Sequence, residues 1–285
     1  MFSKRDSDTS TGRILPRRKR LYKLIVPIII EGLRGTSQME NCVGSPASSV
    51  WALFCRGLSE LLTPAPVAHG LLKIPRVGEL CQIVSVALES AHRSYVANIC
   101  QIVSYGAAKA MEVAILDDTF ARANAESDMG RKCKKHRIEA LKLFTTCFKG
   151  CCALSSEDPA LRSIAQEALS SAIEVTAETR EEPSEVDVRV ETALIVCQTM
   201  QKQKLEALVI FTFPLLCKLV TCKEASLRDA VSEVFTTVDV TAILQSAHSR
   251  YADAEWRAKQ AEEREQELSA EVDELKRKIA ALERS

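Results

Sequence analysis

The octet Ile138-Glu139-Ala140-Leu141-Lys142-Leu143-Phe144-Thr145 returns, little changed, as Leu205-Glu206-Ala207-Leu208-Val209-Ile210-Phe211-Thr212. Apolar residues recur at helical spacing in both copies, with Ala140, Leu141, Phe144 and Phe148 along one face of the first. A polar turn and a second helical segment beginning Leu-Arg follow each copy. Leu161-Arg162 opens LRSIAQEALSS, and Leu227-Arg228 opens LRDAVSEVFTT. Helix pairs that recur in this way bury their apolar faces by stacking, so the pattern predicts an all-α, HEAT- or armadillo-like solenoid. The offset between the copies exceeds the usual repeat of about 40–47 residues. A further helical segment, Val186 to Met200, accounts for the excess, and no clear third copy exists. Arg162 and Arg228 then mark the architecture and are poor candidates for a site.

Working outward, Leu21 to Leu33 reads as a helix with Leu21, Leu24, Ile25, Ile28, Ile29 and Leu33 on one side, and Gly35 to Ser45 as a loop. Ser48-Ser49 offers an N-cap for a helix carrying Trp51, Leu58 and Leu62, which Thr63-Pro64-Ala65-Pro66 ends. Helices are expected over Val77–Leu88 and Arg93–Ile115, with Gly106 marking a close helix approach or a break. Residues 117 to 135 are mostly polar, and the basic stretch Gly130 to Arg137 reads as a loop or frayed helix. Asp158-Pro159 suits a helix start, with an N-cap acceptor before a proline at the first helical position. Thr179 to Ser184 reads as a break, and Pro214 as a kink in the second A helix. Three regions result: a disordered basic tail (residues 1–20), a HEAT-like repeat domain (21–240) and a long charged helix or coiled coil (241–285).

In this 285-residue chain, hydrophobic residues form 46% and aromatics only 5%, a balance that suits helix-on-helix packing better than a sandwich. Thirty-eight basic residues balance thirty-eight acidic ones, so no global field draws the chain to nucleic acid or anionic membrane. Pro16-Arg17-Arg18-Lys19-Arg20 is a local exception that fits nuclear localisation, lipid contact or simply a solvated leader. The first twenty residues do not read as a signal peptide. The apolar stretch Leu24 to Ile30, interrupted by Pro27, is far shorter than the ~20 residues that span a bilayer. A soluble or peripheral protein is expected. Of eleven cysteines, Cys55, Cys81, Cys100, Cys147, Cys197 and Cys217 sit in apolar helical patterns and read as buried free thiols of a reducing compartment.

The C-terminal region is rich in charge and alanine and lacks Gly and Pro. Leu268, Val272, Leu275, Ile279 and Leu282 are spaced as a heptad seam. With Leu268 at position d, Glu271 and Lys278 fall at g and Lys276 and Glu283 at e, so g–e′ pairs of a parallel homodimer would attract. Upstream the seam holds Ala254, Ala258, Ala261 and Glu265, which is weak. About two good heptads are marginal for a coiled coil. A dimer and a single solvated helix both fit.

No catalytic constellation is legible. The phosphate-loop, dinucleotide and Gly-x-Ser-x-Gly patterns are missing, and His69, His92, His136 and His248 lie far apart. Cys133-x-x-His136, with Cys147, Cys151 and Cys152 downstream, has ligand-like spacing, but core packing explains the downstream thiols better than zinc. Cys217 and Cys222 near a helix end read the same way. Asp117-Asp118 and Glu181-Glu182 are adjacent carboxylates in polar stretches, read as solvated charge. The chain is therefore expected to be no enzyme, with no cofactor and no metal.

Four segments carry a family resemblance. SSVWALFCRGLSELLTP (Ser48 to Pro64), HRIEALKLFTTCF (His136 to Phe148), LRSIAQEALSSAIEVTAE (Leu161 to Glu178) and FPLLCKLVTCKEASLRDAVSEVF (Phe213 to Phe235) resemble, in order, the C-terminal HEAT-repeat region of the Sec-seven/BIG/Mon-two family of Golgi and endosome trafficking proteins. The resemblance covers roughly residues 48 to 236. It implies a non-enzymatic scaffold or adaptor in endosome–Golgi vesicle transport. Such a protein is cytoplasmic and peripheral to those membranes, with trafficking proteins as partners. Nothing resembles the family's catalytic exchange domain, so that activity is not implied. The alternative is a helical-repeat protein of nucleic-acid binding or nuclear transport, using Arg17 to Arg20 and Arg131 to Arg137; neutral charge and the lack of interleaved aromatics speak against nucleic acid.

Overall fold

A computed structural model describes residues 46–67, 70–89, 95–155, 158–177, 187–237 and 239–282. The basic tail, the Leu21–Leu33 helix, the Gly35–Ser45 loop, the Thr179–Ser184 break, Glu181-Glu182, His69 and His92 lie outside the described residues. Among the described residues the chain is all-α apart from one two-stranded hairpin.

Helix α1 (Pro46–Leu62) begins at a proline, whose missing amide is harmless in a first turn. Ser48-Ser49 therefore lies inside the helix and does not cap it. Strands β1 (Ala65–Pro66) and β2 (Leu72–Lys73) pair antiparallel, with Ala65 opposite Lys73. They fold the proline-rich connection back on itself before α2 (Val77–Glu89). Helix α3 (Val96–Ala123) extends well beyond the expected Ile115, because buried Ala121 and half-buried Phe120 continue its apolar face. Gly106 marks close approach, not a break: a Cβ there would lie 2.8 Å from Leu62 Cδ1 of α1.

The expected loop around residues 117–135 is instead a tight turn between two long helices. Ser127 caps α4 (Asp128–Leu154), its hydroxyl accepting from the Gly130 amide at 2.9 Å and donating to the Asn124 carbonyl at 2.9 Å. Gly130 fits because a Cβ there would stand 2.1 Å from that carbonyl oxygen. The basic stretch is thus helical throughout.

Helix α5 (Pro159–Ala177) starts as its sequence predicts, with the Asp158 carboxylate accepting from the Ala160 amide at 2.8 Å. Helix α6 (Val188–Gln203) is capped by Asp187 and closed by Lys204 in the left-handed conformation. Helix α7 (Glu206–Leu219) runs through Pro214, and α8 is Ala225–Thr237. The chain's contacts divide it into a unit ending at Val234 and one beginning at Phe235. The second consists mainly of α9 (Val240–Leu282), a 43-residue helix.

In the first unit the helices do not pair as the repeat suggested. Helix α4 packs most extensively on α3 and only slightly on α5, while α5 packs on α6. The duplicated sequences thus mark equivalent helices, α4 with α7 and α5 with α8, more than packed pairs. Arg162 still links the two copies, its guanidinium 5.7 Å from the Phe211 ring. Each substantial helix contact in this unit joins helices no more than three places apart along the chain. Helix α3 is the hub, touching α1, α2, α4, α5 and α6. By length and composition it is apolar enough to cross a membrane, yet 56% of its apolar window is buried by these neighbours.

Candidate functional site

Helices α2, α4 and α6 and the β2–α2 link frame an open groove of about 1110 Å³. Its apolar wall comes from Val77, Ile138, Leu141 and Ile195, and its rim carries Lys73, Glu79, Glu139 and Lys142. Ile138 remains 47% exposed, on the outward face of α4 one residue after a buried arginine. Arg76 shapes one end. It adopts φ 53°, the left-handed region that non-glycine residues seldom occupy, and donates to Glu79 at 2.6 Å.

Beneath the rim lies a buried polar layer where α3 meets α4. Adjacent carboxylates on a helix point about 100° apart, so Asp117 and Asp118 serve different partners. Both are buried, at 2% and 3% exposure, which corrects their reading as solvated loop charge. Asp118 Oδ1 pairs with the Arg137 guanidinium of α4, and Oδ2 accepts from Arg122 Nε at 2.7 Å. Arg122 also reaches the α6 cap, its Nη2 3.9 Å from Asp187 Oδ2. Glu191 on the first turn of α6 stands near the same charges, and burial raises its pKa despite the nearby arginines. This network ties three helices together.

Asp117 faces Cys133 and Lys73. Burial lifts its carboxyl to about 6, although a hydrogen bond from the Cys133 thiol and the charge of Lys73 both pull it down. The Cys133 thiol is pushed up to about 11, by burial first and by Asp117 next. A carboxylate touching a thiol directly keeps it protonated, the opposite of nucleophile activation. His136, one turn along, takes a bond of 3.1 Å from Lys73 Nζ on Nε2. Burial and the Lys73 charge lower the imidazole's pKa, so it stays neutral and accepts. Cys133 and His136 thus face different partners, and no group of three or more potential metal ligands occurs among the described residues.

The downstream thiols pack as expected. Cys147, Cys151 and Cys152 are buried, and Cys151 donates to the Cys100 carbonyl at 3.6 Å. Burial pushes Cys152 and Cys197 up to about 12. Cys217 departs from the expectation: it is exposed, because it lies on the outward face of α7. Arg137 drops out of the solvent-facing basic stretch, leaving Arg131, Lys132, Lys134 and Lys135 exposed, with Arg131 paired to Asp128.

The seam residues sit on α9, where Leu268 and Val272 are 56% and 47% exposed. The side chains of Leu275, Ile279 and Leu282 lie outside the described ones. The groove and its charge layer escaped the sequence reading. The Asp117-Asp118 doublet was visible, but its partners beyond α3 come from β2 and α4. Neither a family model, nor a curated protein, nor a solved structure matches the chain.

Proposed function

We propose that the chain is a non-enzymatic scaffold of endosome–Golgi vesicle transport, holding partner proteins on an α-solenoid at the cytoplasmic face of those membranes. Two kinds of support differ in weight. The solenoid reading rests on the short-range order of helix contacts, in which every substantial contact joins helices no more than three places apart along the chain. The assignment to vesicle transport rests on the resemblance of residues 48 to 236 to the Sec-seven/BIG/Mon-two family.

The observation that carries a binding role is the groove. Val77, Ile138, Leu141 and Ile195 line it, and Ile138 stands half in water. Large apolar residues left exposed beside a cleft, with charges at the rim, are what a protein-binding surface leaves uncovered when empty. Asp118, Arg122 and Arg137 of the polar layer are tied up in ion pairs with one another, which suits a structural role for that layer.

Proximity labelling in cells tests both parts. The intact chain should label Golgi and endosomal proteins. The variant carrying Ile138→Asp and Lys142→Glu should lose a defined subset of them while staying at the same membranes. Absence of Golgi and endosomal neighbours for the intact chain sinks the transport reading, and an unchanged set in the variant sinks the groove.

A further inference from the structure

The structure makes α9 one uninterrupted helix, so the register of Leu268, Val272 and the residues beyond can be carried back to its start. The alternation of four and three continues through Glu265, Ala261, Ala258 and Ala254 to Tyr251. It goes on through Ala247 and Leu244 to Val240, the helix's first residue. The stripe is therefore about six heptads long, with one polar member, Glu265. At 1.5 Å per residue it extends for about 65 Å. Every residue from Tyr251 to Ser269 is exposed in the single chain, the seam alanines included. From Tyr251 to Leu268, and again at Val272, the stripe is open to solvent.

We infer that the cover is the same helix of a second copy, in a parallel, in-register, two-stranded coiled coil. Three observations select this occupant. First, the strong C-terminal heptads place Val272 and Ile279 at a and Leu268, Leu275 and Leu282 at d, and β-branched a with leucine d favours two parallel strands. Second, the flanking charges match. The g–e′ pairs Arg250–Glu255, Arg257–Glu262 and Glu271–Lys276 are all opposite in sign, and Arg264–Ser269 is neutral. A fully overlapped antiparallel arrangement would set Arg257 against Arg264 and Glu255 against Glu262. Charge thus selects direction as well as partner.

Third, the one polar seam position has a partner of its own. In a parallel dimer Glu265 at a faces Glu265 of the second copy, and the g residue before it lies beside the facing a position. That g residue is Arg264, the arginine whose e′ position holds an uncharged serine. Arg264 of each copy neutralises Glu265 of the other. A single polar layer of this kind lowers affinity but fixes register, because any slip of one heptad would bury the carboxylate against apolar side chains.

Sedimentation equilibrium of the full chain tests the dimer. The expected mass is twice 31.4 kDa at micromolar concentration. Leu268→Lys with Leu275→Lys should weaken association by at least about a hundredfold, with the melting of the first unit unchanged. Glu265→Leu should tighten association at least about tenfold and Arg264→Glu should loosen it by a similar factor. Ala247→Cys should cross-link to its own copy under mild oxidation; native α9 has no cysteine, so the unmodified chain is the control. A mass of 31.4 kDa at all concentrations, or a dimer that survives the double lysine variant, overturns the proposal. A dimer without the 247 cross-link overturns the parallel arrangement, and indifference to Arg264→Glu overturns the Arg264–Glu265 pairing.

Discussion

Asp118 of α3 and Arg137 of α4, nineteen residues apart, form an ion pair whose side chains are only 4% and 8% exposed. The pair closes the interface on which the largest helix contact of the molecule rests. Taking one charge away leaves the other buried without its counter-ion. Asp118→Ala should therefore lose about 3–5 kcal/mol of stability. Replacing both, Asp118→Leu with Arg137→Met, should cost less, because the buried arginine goes with its partner and Arg122, 28% exposed, keeps Asp187 and solvent. Urea denaturation of the two variants measures the difference; equal losses would show that the pair's charges are not what matters there.

Asp117 makes the opposite contribution. Its carboxyl ionises near pH 6 in the folded chain and at an ordinary 3.8 when unfolded. Between those values the folded state holds the extra proton, so this residue favours folding as pH falls and opposes it above pH 6. The penalty at neutral pH is as much as about 3 kcal/mol. Asp117→Asn keeps an acceptor for Cys133 and should stabilise the chain at pH 7, with the gain fading toward pH 4. His136 works the other way: its lowered pKa costs stability as pH falls below its usual 6.5. It is common to both chains, so the difference between their unfolding free energies isolates Asp117. A gain that grows on acidification would contradict the assignment.

Lys204 ends α6 at φ 53° and ψ 51°, a conformation glycine adopts without its Cβ being crowded. Lys204→Gly should raise stability by about 1 kcal/mol, seen as a higher thermal midpoint. Gly130→Ala should do the reverse, since the added Cβ would meet the Asn124 carbonyl at 2.1 Å. A neutral outcome for the alanine variant would mean that the turn before α4 can open without loss.

Ile138→Asp changes a side chain that is already 47% exposed, so its effect on stability should stay within about 0.5 kcal/mol. Its effect on partner capture should be large if the groove is the contact surface. Comparing thermal midpoints with labelling yields separates the two; a variant that melts early would say that Ile138 supports the fold instead.

Where the sequence reading succeeded, the information was local. Apolar spacing placed α2, α5 and α8 to within a few residues, and the Asp158-Pro159 cap formed as its chemistry requires. Where it failed, the information lay elsewhere in the chain. Asp117 and Asp118 look like loop residues until the turn at Ser127 and Gly130 brings Arg137 and Cys133 to them and the hairpin brings Lys73. Two buried carboxylates also interrupt the apolar pattern that would have carried α3 on to Ala123. The duplicated octet identified equivalent helices but not their neighbours, because packing order depends on the shape of every face. The tail's register was legible only from Leu268 onward, since a run of alanines and one glutamate looks weak until the helix is seen to be continuous.

Buried thiols mark four helices of the first unit, Cys55 on α1, Cys100 on α3, Cys133, Cys147, Cys151 and Cys152 on α4 and Cys197 on α6, with Cys222 in the turn before α8, against an exposed Cys217 on α7. A thiol reacts with an alkylating reagent only when its surroundings part. The protein thus carries a set of chemical clocks on α1, α3, α4 and α6, with Cys217 marking zero time. Mass spectrometry of briefly alkylated chain would read the order in which the helices come loose.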